Sequence, residues 1–230
     1  MSAAVSPTTV IRLYSGPLSM FGMKAEIALL EKGIAAQVQM VPFAMKTLYQ
    51  PKHPEVARIN PKAQVPVLLH DGLEIFDSTQ IFEYLEDIAP EPPLWPREPK
   101  DRARARLLEL KSDEVFFPPV IRLMGLQQTP DDPAAVAARE ACAGYYAEIE
   151  AALGNRDWLA GPYTYADIAF YMAQIFADRM GAPMPRTAPR LIAWRARMTE
   201  RPAVARVAGA MARYLISQGR PVPGFMQPFA

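Results

Sequence analysis

The stretch Gln64-Val65-Pro66-Val67-Leu68-Leu69-His70-Asp71-Gly72-Leu73-Glu74-Ile75-Phe76-Asp77-Ser78 decides how the first part of the chain folds. Pro66 to His70 and Leu73 to Ile75 carry β-branched and large apolar side chains, which suit a pleated, half-buried surface. Between them Asp71-Gly72 is a pair that tolerates positive φ at both positions, so the segment predicts a hairpin with a tight turn. Ser78 to Asp87 then takes helical spacing.

Upstream, Val10 to Tyr14 reads as a strand, Phe21 to Lys32 as a helix closed by Gly33, and Ala36 to Met40 as a second strand. A loosely helical stretch follows. A strand–helix–strand crossover makes the first two strands parallel, and the hairpin adds antiparallel ones, so the expected sheet is mixed and four-stranded.

Downstream, Ala89-Pro-Glu-Pro-Pro-Leu-Trp-Pro96 cannot continue a helix. It reads as a semi-rigid linker in which Leu94 and Trp95 pack. No strand signal returns after it. Helices are expected over Lys100–Leu126, Pro133–Leu153, Thr164–Met180, Ala188–Thr199 and Pro202–Ser217. The domain reading is therefore a mixed α/β domain over 1–88, a linker over 89–99 and an all-helical domain over 100–230.

Composition excludes several classes. Of the 230 residues, Lys plus Arg number 25 and Asp plus Glu 24, so the net charge is close to zero; no basic stretch is dense enough for a phosphate backbone, and nucleic acid is not expected as a partner. Cys142 is the single cysteine, which leaves no internal disulfide, no redox cysteine pair and no cysteine-rich zinc site. Neither histidine, His53 or His70, has a second ligand at helical spacing, so no metal site is expected. Met1–Thr9 lacks the layout of a secretory signal, and the apolar run Ile168–Ala177 is too short to span a bilayer. The reading is a cytoplasmic protein that does not enter a membrane.

Three places carry candidate chemistry. Proline cannot donate to a ladder, so Val65-Pro66 at a strand mouth is either an ordinary strand start or a cis bond. The cis form would turn the Val65 backbone outward to pair with an extended peptide. Ser78 reads as the N-cap of the helix after the hairpin, and free N–H groups there suit a ligand carboxylate, with Asp77 beside it for an ammonium. A plain helix cap explains the same residues. Ser19, in Leu18-Ser19-Met20-Phe21, reads as the cap of the first helix; its hydroxyl sits where a thiolate gains a hydrogen bond and a favourable dipole, or it is a cap and nothing more. In the helical half, Thr164 and Asp167 form a capping box with Tyr163 set to pack on Ile168, a structural motif. Cys142 reads as a small buried helix residue.

The order of these signals resembles the cytosolic glutathione transferase family, from about Val10 to Ser217. Asn60-Pro61-Lys62-Ala63-Gln64-Val65-Pro66-Val67-Leu68 and Glu74-Ile75-Phe76-Asp77-Ser78 carry the likeness, and Ser19, eight residues before Ile27, matches the serine-type active sites of the tau and zeta classes. The resemblance implies a thioredoxin-like domain with a mixed four-stranded sheet, joined to an all-α domain that holds the second substrate. It implies glutathione as co-substrate: Val65 and Pro66 beside the cysteinyl part, Asp77 and Ser78 at the γ-glutamyl end, Gln64 and Lys46 facing the glycine carboxylate, Phe21 alongside, and Ser19 donating to the sulfur. It implies a homodimer and a detoxifying transferase whose partner is a small, largely apolar electrophile. Val115, Phe116, Phe117 and Arg122 are the candidates for the electrophile's pocket, with Met20, Phe21 and Met23 as an adaptable apolar lip. Domain-packing core is the other reading of those first four, and the favoured one for at least half of them.

The chain departs from the serine-type pattern where Met20-Phe21 follows Ser19, and Asp77 stands where Glu is usual, a methylene shorter. Tyr14 and Ser15 stand too far upstream of the helix to match a tyrosine- or serine-type role. The same thiolate chemistry serves a glutathione-dependent lyase or isomerase, and the same fold serves a noncatalytic binder. A thiol-disulfide oxidoreductase is disfavoured because no cysteine lies near Ser19.

Overall fold

The computed structural model describes residues 10–229. The segment Met1–Thr9, read above as lacking a secretory signal, lies outside them. The chain divides into two compact units, the first ending at Ala89 and the second beginning at Pro90.

The first unit runs β1 (Ile11–Ser15), α1 (Met20–Glu31), β2 (Ala36–Met40), α2 (Pro54–Ile59), β3 (Val67–His70), β4 (Leu73–Phe76) and α3 (Ser78–Ile88). Its sheet has the order β2-β1-β3-β4. β1 and β2 are parallel, with Ile11 opposite Ala36 and Ser15 opposite Met40. β3 is antiparallel to both neighbours, with Tyr14 opposite Val67 and Val67 opposite Phe76. The hairpin turn is the expected one: Asp71 at φ 50° and Gly72 at φ 80° give the primed geometry that matches strand twist.

Alternation along β1 decides what each sheet face buries. Tyr14 points to the α2 side, where it clusters with Val41, Val56 and Val67. Leu13 and Ser15 point the other way, and Ser15 meets α1 there. On that side α1 packs against α3, with Ile27, Ala28, Ile81, Phe82 and Leu85 fully buried. Lys32 pairs with Glu86 at 2.6 Å and joins the two helices at the far end of α1.

The second unit holds α4 (Pro99–Lys111), a π-helical turn (Ser112–Phe116), α5 (Phe117–Gly125), α6 (Pro133–Leu153), α7 (Tyr165–Arg179), α8 (Pro189–Glu200), α9 (Pro202–Ser217) and a final 3₁₀ turn (Gly224–Phe229). The helix expected over Lys100–Leu126 is thus broken in two. Pro118 and Pro119 at the start of α5 lack the N–H groups that an unbroken α-ladder needs, and the wider π turn absorbs the mismatch. The proline-rich passage is packed, as expected: Leu94 and Trp95 are buried, the Tyr165 N–H donates to the Leu94 carbonyl at 3.0 Å, and the Trp95 and Tyr165 rings meet edge to face.

α7 is buried from Tyr165 to Ala177. Around it Phe116, Tyr145, Tyr146, Phe170 and Trp194 form one aromatic core, with Phe116 centroids 5.1 Å from both tyrosines and 5.2 Å from Phe170. The capping box is present: Asp167 reaches back to the Thr164 N–H at 2.9 Å. The Tyr163 ring, expected against Ile168, meets Trp158 and carries the Arg201 guanidinium 3.5 Å from its centroid. Cys142 is buried on α6, and burial pushes its thiol up to about 11, so it is inert at neutral pH. Among the described residues no helix is long and apolar enough to cross a membrane.

Candidate functional site

The register of the sheet collects the candidate residues of the first unit. Tyr14 lies opposite Val67 and Val67 opposite Phe76, so the C-terminal end of β1, the N-terminal end of β3 and the C-terminal end of β4 share one edge. Ser15 lies opposite Met40, which adds the end of β2. Ser19 follows β1, Val65 and Pro66 precede β3, and Asp77 follows β4. Three stretches far apart in sequence therefore open at the same end of the sheet.

Ser19 is the N-cap of α1, with extended backbone, and its Oγ accepts the Gly22 N–H at 3.0 Å. That bond uses an oxygen lone pair and leaves the hydroxyl proton available to a partner at the positive end of the helix. The Leu18 N–H in the same turn donates to the Tyr49 hydroxyl at 3.3 Å.

The Val65–Pro66 bond is cis, one of the two readings open from sequence. Regular pairing begins at Val67, so the Val65 main chain lies outside the ladder. Buried Asn60 fixes the loop before it: its amide donates to the Gln64 carbonyl at 2.7 Å and its oxygen accepts the Lys62 N–H at 2.9 Å. The Gln64 side chain is exposed. Lys46 is exposed too, in the turn closed by the Ala44–Leu48 bridge.

At the third stretch the cap differs from expectation. Asp77, not Ser78, is the N-cap of α3: its Oδ1 accepts the N–H groups of Thr79 at 3.0 Å and Gln80 at 3.2 Å. Both residue types cap well, but Asp77 takes φ 76°, which turns its carboxylate over the helix end and leaves Ser78 as the first helical residue, buried. A non-glycine residue at that φ costs on the order of 1–3 kcal/mol, a strain typical of ligand sites.

Of the residues expected around the electrophile, Phe116 and Phe117 are core. Phe116 is enclosed by the aromatic cluster, and Phe117 packs on Phe176. Helical spacing marks their face as apolar without saying what covers it. Arg122 and Val115 are exposed on the helical unit. Met20 and Met23 are each 2% exposed and form no open lip; Phe21 is half-buried, with the Lys24 ammonium 5.5 Å from its ring centroid.

Sequence reading missed one pair. Ser15 donates a hydrogen bond to the Glu26 carboxyl, and both are buried. Burial pushes Glu26 up to about 7, with the Ser15 bond lowering it in part. Gly22 stands between them and Ser19: a Cβ there would collide with the Ser15 Oγ and lie 3.2 Å from the Ser19 Oγ. The signal was present in the spacing, since Ser19, Gly22 and Glu26 recur on one helical face and Glu26 interrupts the apolar run Ala25-Glu26-Ile27-Ala28.

A mixed four-stranded β1–α1–β2 and β3–β4–α3 unit followed by a helical unit defines a thioredoxin-like protein with an appended helical domain. Residues 13–93 match the glutathione S-transferase N-terminal domain, and residues 114–202 match the glutathione S-transferase C-terminal domain. The chain belongs to the glutathione S-transferase family. It is 29% identical over 199 residues to a probable glutathione S-transferase, parC, of Nicotiana tabacum, covering 82% of this chain and 84% of that one. It is 34% identical over 111 residues to a stringent starvation protein A homologue of Coxiella burnetii, covering 47% of this chain and 49% of that protein. The chain thus spans about half the length of the starvation-protein relatives it matches. Among solved structures, a glutathione S-transferase from Rhodospirillum rubrum superposes with a TM-score of 0.74 at 29% identity, over 86% of this chain and 92% of that one.

Proposed function

We propose that the first unit binds glutathione and stabilises its thiolate, and that the thiolate attacks a small, largely apolar electrophile. The observation that carries this reading is the convergence of Ser19, Val65 and Asp77 at one end of the sheet. A tripeptide lying along Val65 pairs with main chain that the ladder leaves outside, in the manner of an added strand. Its γ-glutamyl end falls to Asp77 and Ser78, and its glycine carboxylate to Gln64 and Lys46. Pro66 shapes the strand mouth and Phe21 flanks the bound peptide. Ser19 donates its hydroxyl to the sulfur at the positive end of α1.

Lowering a thiol from about 8.5 by two units stabilises the thiolate by roughly 2.7 kcal/mol and makes it the major species at neutral pH. The thiol proton leaves to solvent. The sulfur lone pair forms the new bond to carbon as that carbon's bond to a leaving group breaks, or as the π bond of an acceptor opens, and the electron pair of that bond moves away from the carbon. In this reading the chain is a cytoplasmic homodimer, the helical unit receives the electrophile, and Arg122 is its exposed candidate contact.

Glutathione binding to wild type and Ser19→Ala tests this, with the bound thiol followed by its ultraviolet thiolate absorbance. The expected result is a depressed thiol pKa in wild type and an ordinary one in the variant, at similar affinity. Identical titrations would reduce Ser19 to a cap, with either another group activating the thiol or the protein a glutathione binder; no binding would overturn the reading. Product analysis with aryl-ether and halogenated substrates separates conjugation from lyase chemistry.

A further inference from the structure

We propose that Glu26, tied to the end of β1 through Ser15, regulates the thiol site with pH: protonated, it backs the start of α1 without opposing negative charge, and ionised, it disfavours a thiolate at Ser19. The inference rests on the reading that glutathione places its sulfur at Ser19.

Three observations support it. First, Glu26 lies seven residues after Ser19, about two turns or 10 Å along the helix, on the same face. Second, the space between them is kept free of side chain at Gly22, with Ser15 filling it; the Ser15 hydroxyl is committed to Glu26, and the Ser19 oxygen accepts the Gly22 N–H at 3.0 Å. Third, Glu26 is 9% exposed, so its charge is poorly screened by water.

Of the charged groups on the surrounding elements, none contributes to the shift of Glu26. On α3, Glu86 is paired with Lys32 at the far end of α1, Asp87 is exposed and Glu83 is half-buried. On β1, Arg12 is exposed. On α1, Lys24 is fully buried two residues before Glu26, with its ammonium 5.5 Å from the Phe21 ring centroid, and Glu31 lies near the helix end. The position of Glu26 near 7 is set by burial and by the Ser15 bond, with no charged neighbour contributing. A glutathione thiolate would be a new negative charge on this face, and two groups that interact titrate as a pair.

The consequence is reciprocal. A thiolate at Ser19 raises the pH at which Glu26 ionises, and ionised Glu26 raises the pH at which the thiol ionises. Thiolate formation in wild type is then a broadened curve across neutrality, where a single group would give a simple one.

The test has two arms on the full chain. In the first, thiolate absorbance of bound glutathione is titrated in wild type and Glu26→Gln, an isosteric change that keeps an acceptor for Ser15. The expected result is a single sharper transition in Glu26→Gln, with the upper end of the curve moved down by about one unit, a tenfold change in ionisation constant. In the second, the Glu26 side-chain carbon is followed by NMR in wild type with glutathione and with S-methylglutathione, which has no ionisable thiol. Glutathione should move the Glu26 midpoint upward and S-methylglutathione should leave it near its unliganded position. This arm stands even if the variant fails to fold, and a purely structural Glu26 would not show it.

Superposed thiol curves, or equal Glu26 midpoints with the two ligands, overturn this inference while a Ser19 effect leaves the function reading standing. Absence of glutathione binding, or a thiol indifferent to Ser19→Ala, overturns both.

Discussion

The indole N–H of Trp194 donates to Asp167 Oδ1 at 2.9 Å, tying α8 to the first turn of α7 inside the helical core. The same carboxylate accepts the N–H groups of Leu159 and Thr164, each at 2.9 Å. One buried side chain thus satisfies donors from three separate places in the second unit, and all three depend on it.

Asp167→Ala leaves those donors without a partner in a dry core. The expected cost is about 3–5 kcal/mol in urea unfolding. Asp167→Asn keeps one acceptor oxygen but places an amide where Thr164 needs an acceptor, for about 1–3 kcal/mol. Burial outweighs the four hydrogen bonds and holds Asp167 up at about 6 against its ordinary 3.8. The folded chain therefore holds this proton more tightly than the unfolded one. The group's contribution is most favourable below pH 3.8 and is lost as pH rises to about 6, by about 3 kcal/mol. Asp167→Asn removes that pH dependence.

Glu26 gives a second, later window. Its folded value of about 7 lies above its ordinary 4.5, so the stability it contributes is complete below 4.5 and is lost as pH rises through 7. Glu26→Gln should gain on wild type by about 3 kcal/mol between pH 4.5 and 7.5, measured as the difference in chemical-denaturation free energy without ligand. A flat difference across that range would place the Glu26 proton elsewhere.

At Asp77, stability and ligand affinity should separate. Asn retains a side-chain oxygen for the Thr79 and Gln80 N–H groups and tolerates positive φ, so Asp77→Asn should change unfolding free energy by less than about 0.5 kcal/mol. In the proposed function Asp77 faces the γ-glutamyl ammonium, and removing its charge should then weaken glutathione about tenfold by calorimetry. Asp77→Ala loses the cap as well and should cost a further 1–2 kcal/mol or so of stability. Equal glutathione affinity in all three forms would confine Asp77 to capping.

What sequence made legible follows the range of the physics involved. The Asp71-Gly72 turn, the Ala36–Met40 strand and the Ser19 cap obey local rules, and the structure has all three. The choice between Asp77 and Ser78 as cap was not local: it depends on where β4 stops and on a backbone angle set by that junction. The π turn was missed because helical periodicity ran through Pro118-Pro119 with little change in pattern. Phe116 and Phe117 looked alike as pocket and as core, since an apolar face does not name its neighbour. The Ser15–Glu26 pair was passed over because the break that Glu26 makes in the apolar run of α1 does not say which strand residue answers it.

Gly22 offers a last check on that pair. In an ordinary helix interior Gly→Ala stabilises by about 1 kcal/mol through backbone entropy. Here the added methyl collides with the Ser15 Oγ and crowds the Ser19 side chain at 3.2 Å, so the sign should reverse. Overpacking of this kind costs about 1–3 kcal/mol, and the Ser15–Glu26 bond is the contact that gives way. Gly22→Ala should therefore destabilise the chain in urea unfolding. In a Ser15→Gly background the obstacle on β1 is gone, and the same substitution should approach neutrality or become stabilising. A double-mutant cycle reads the coupling directly, with an interaction energy of about 1–2 kcal/mol expected between the two positions. Additive effects would mean that Gly22 is chosen for some reason other than room for Ser15.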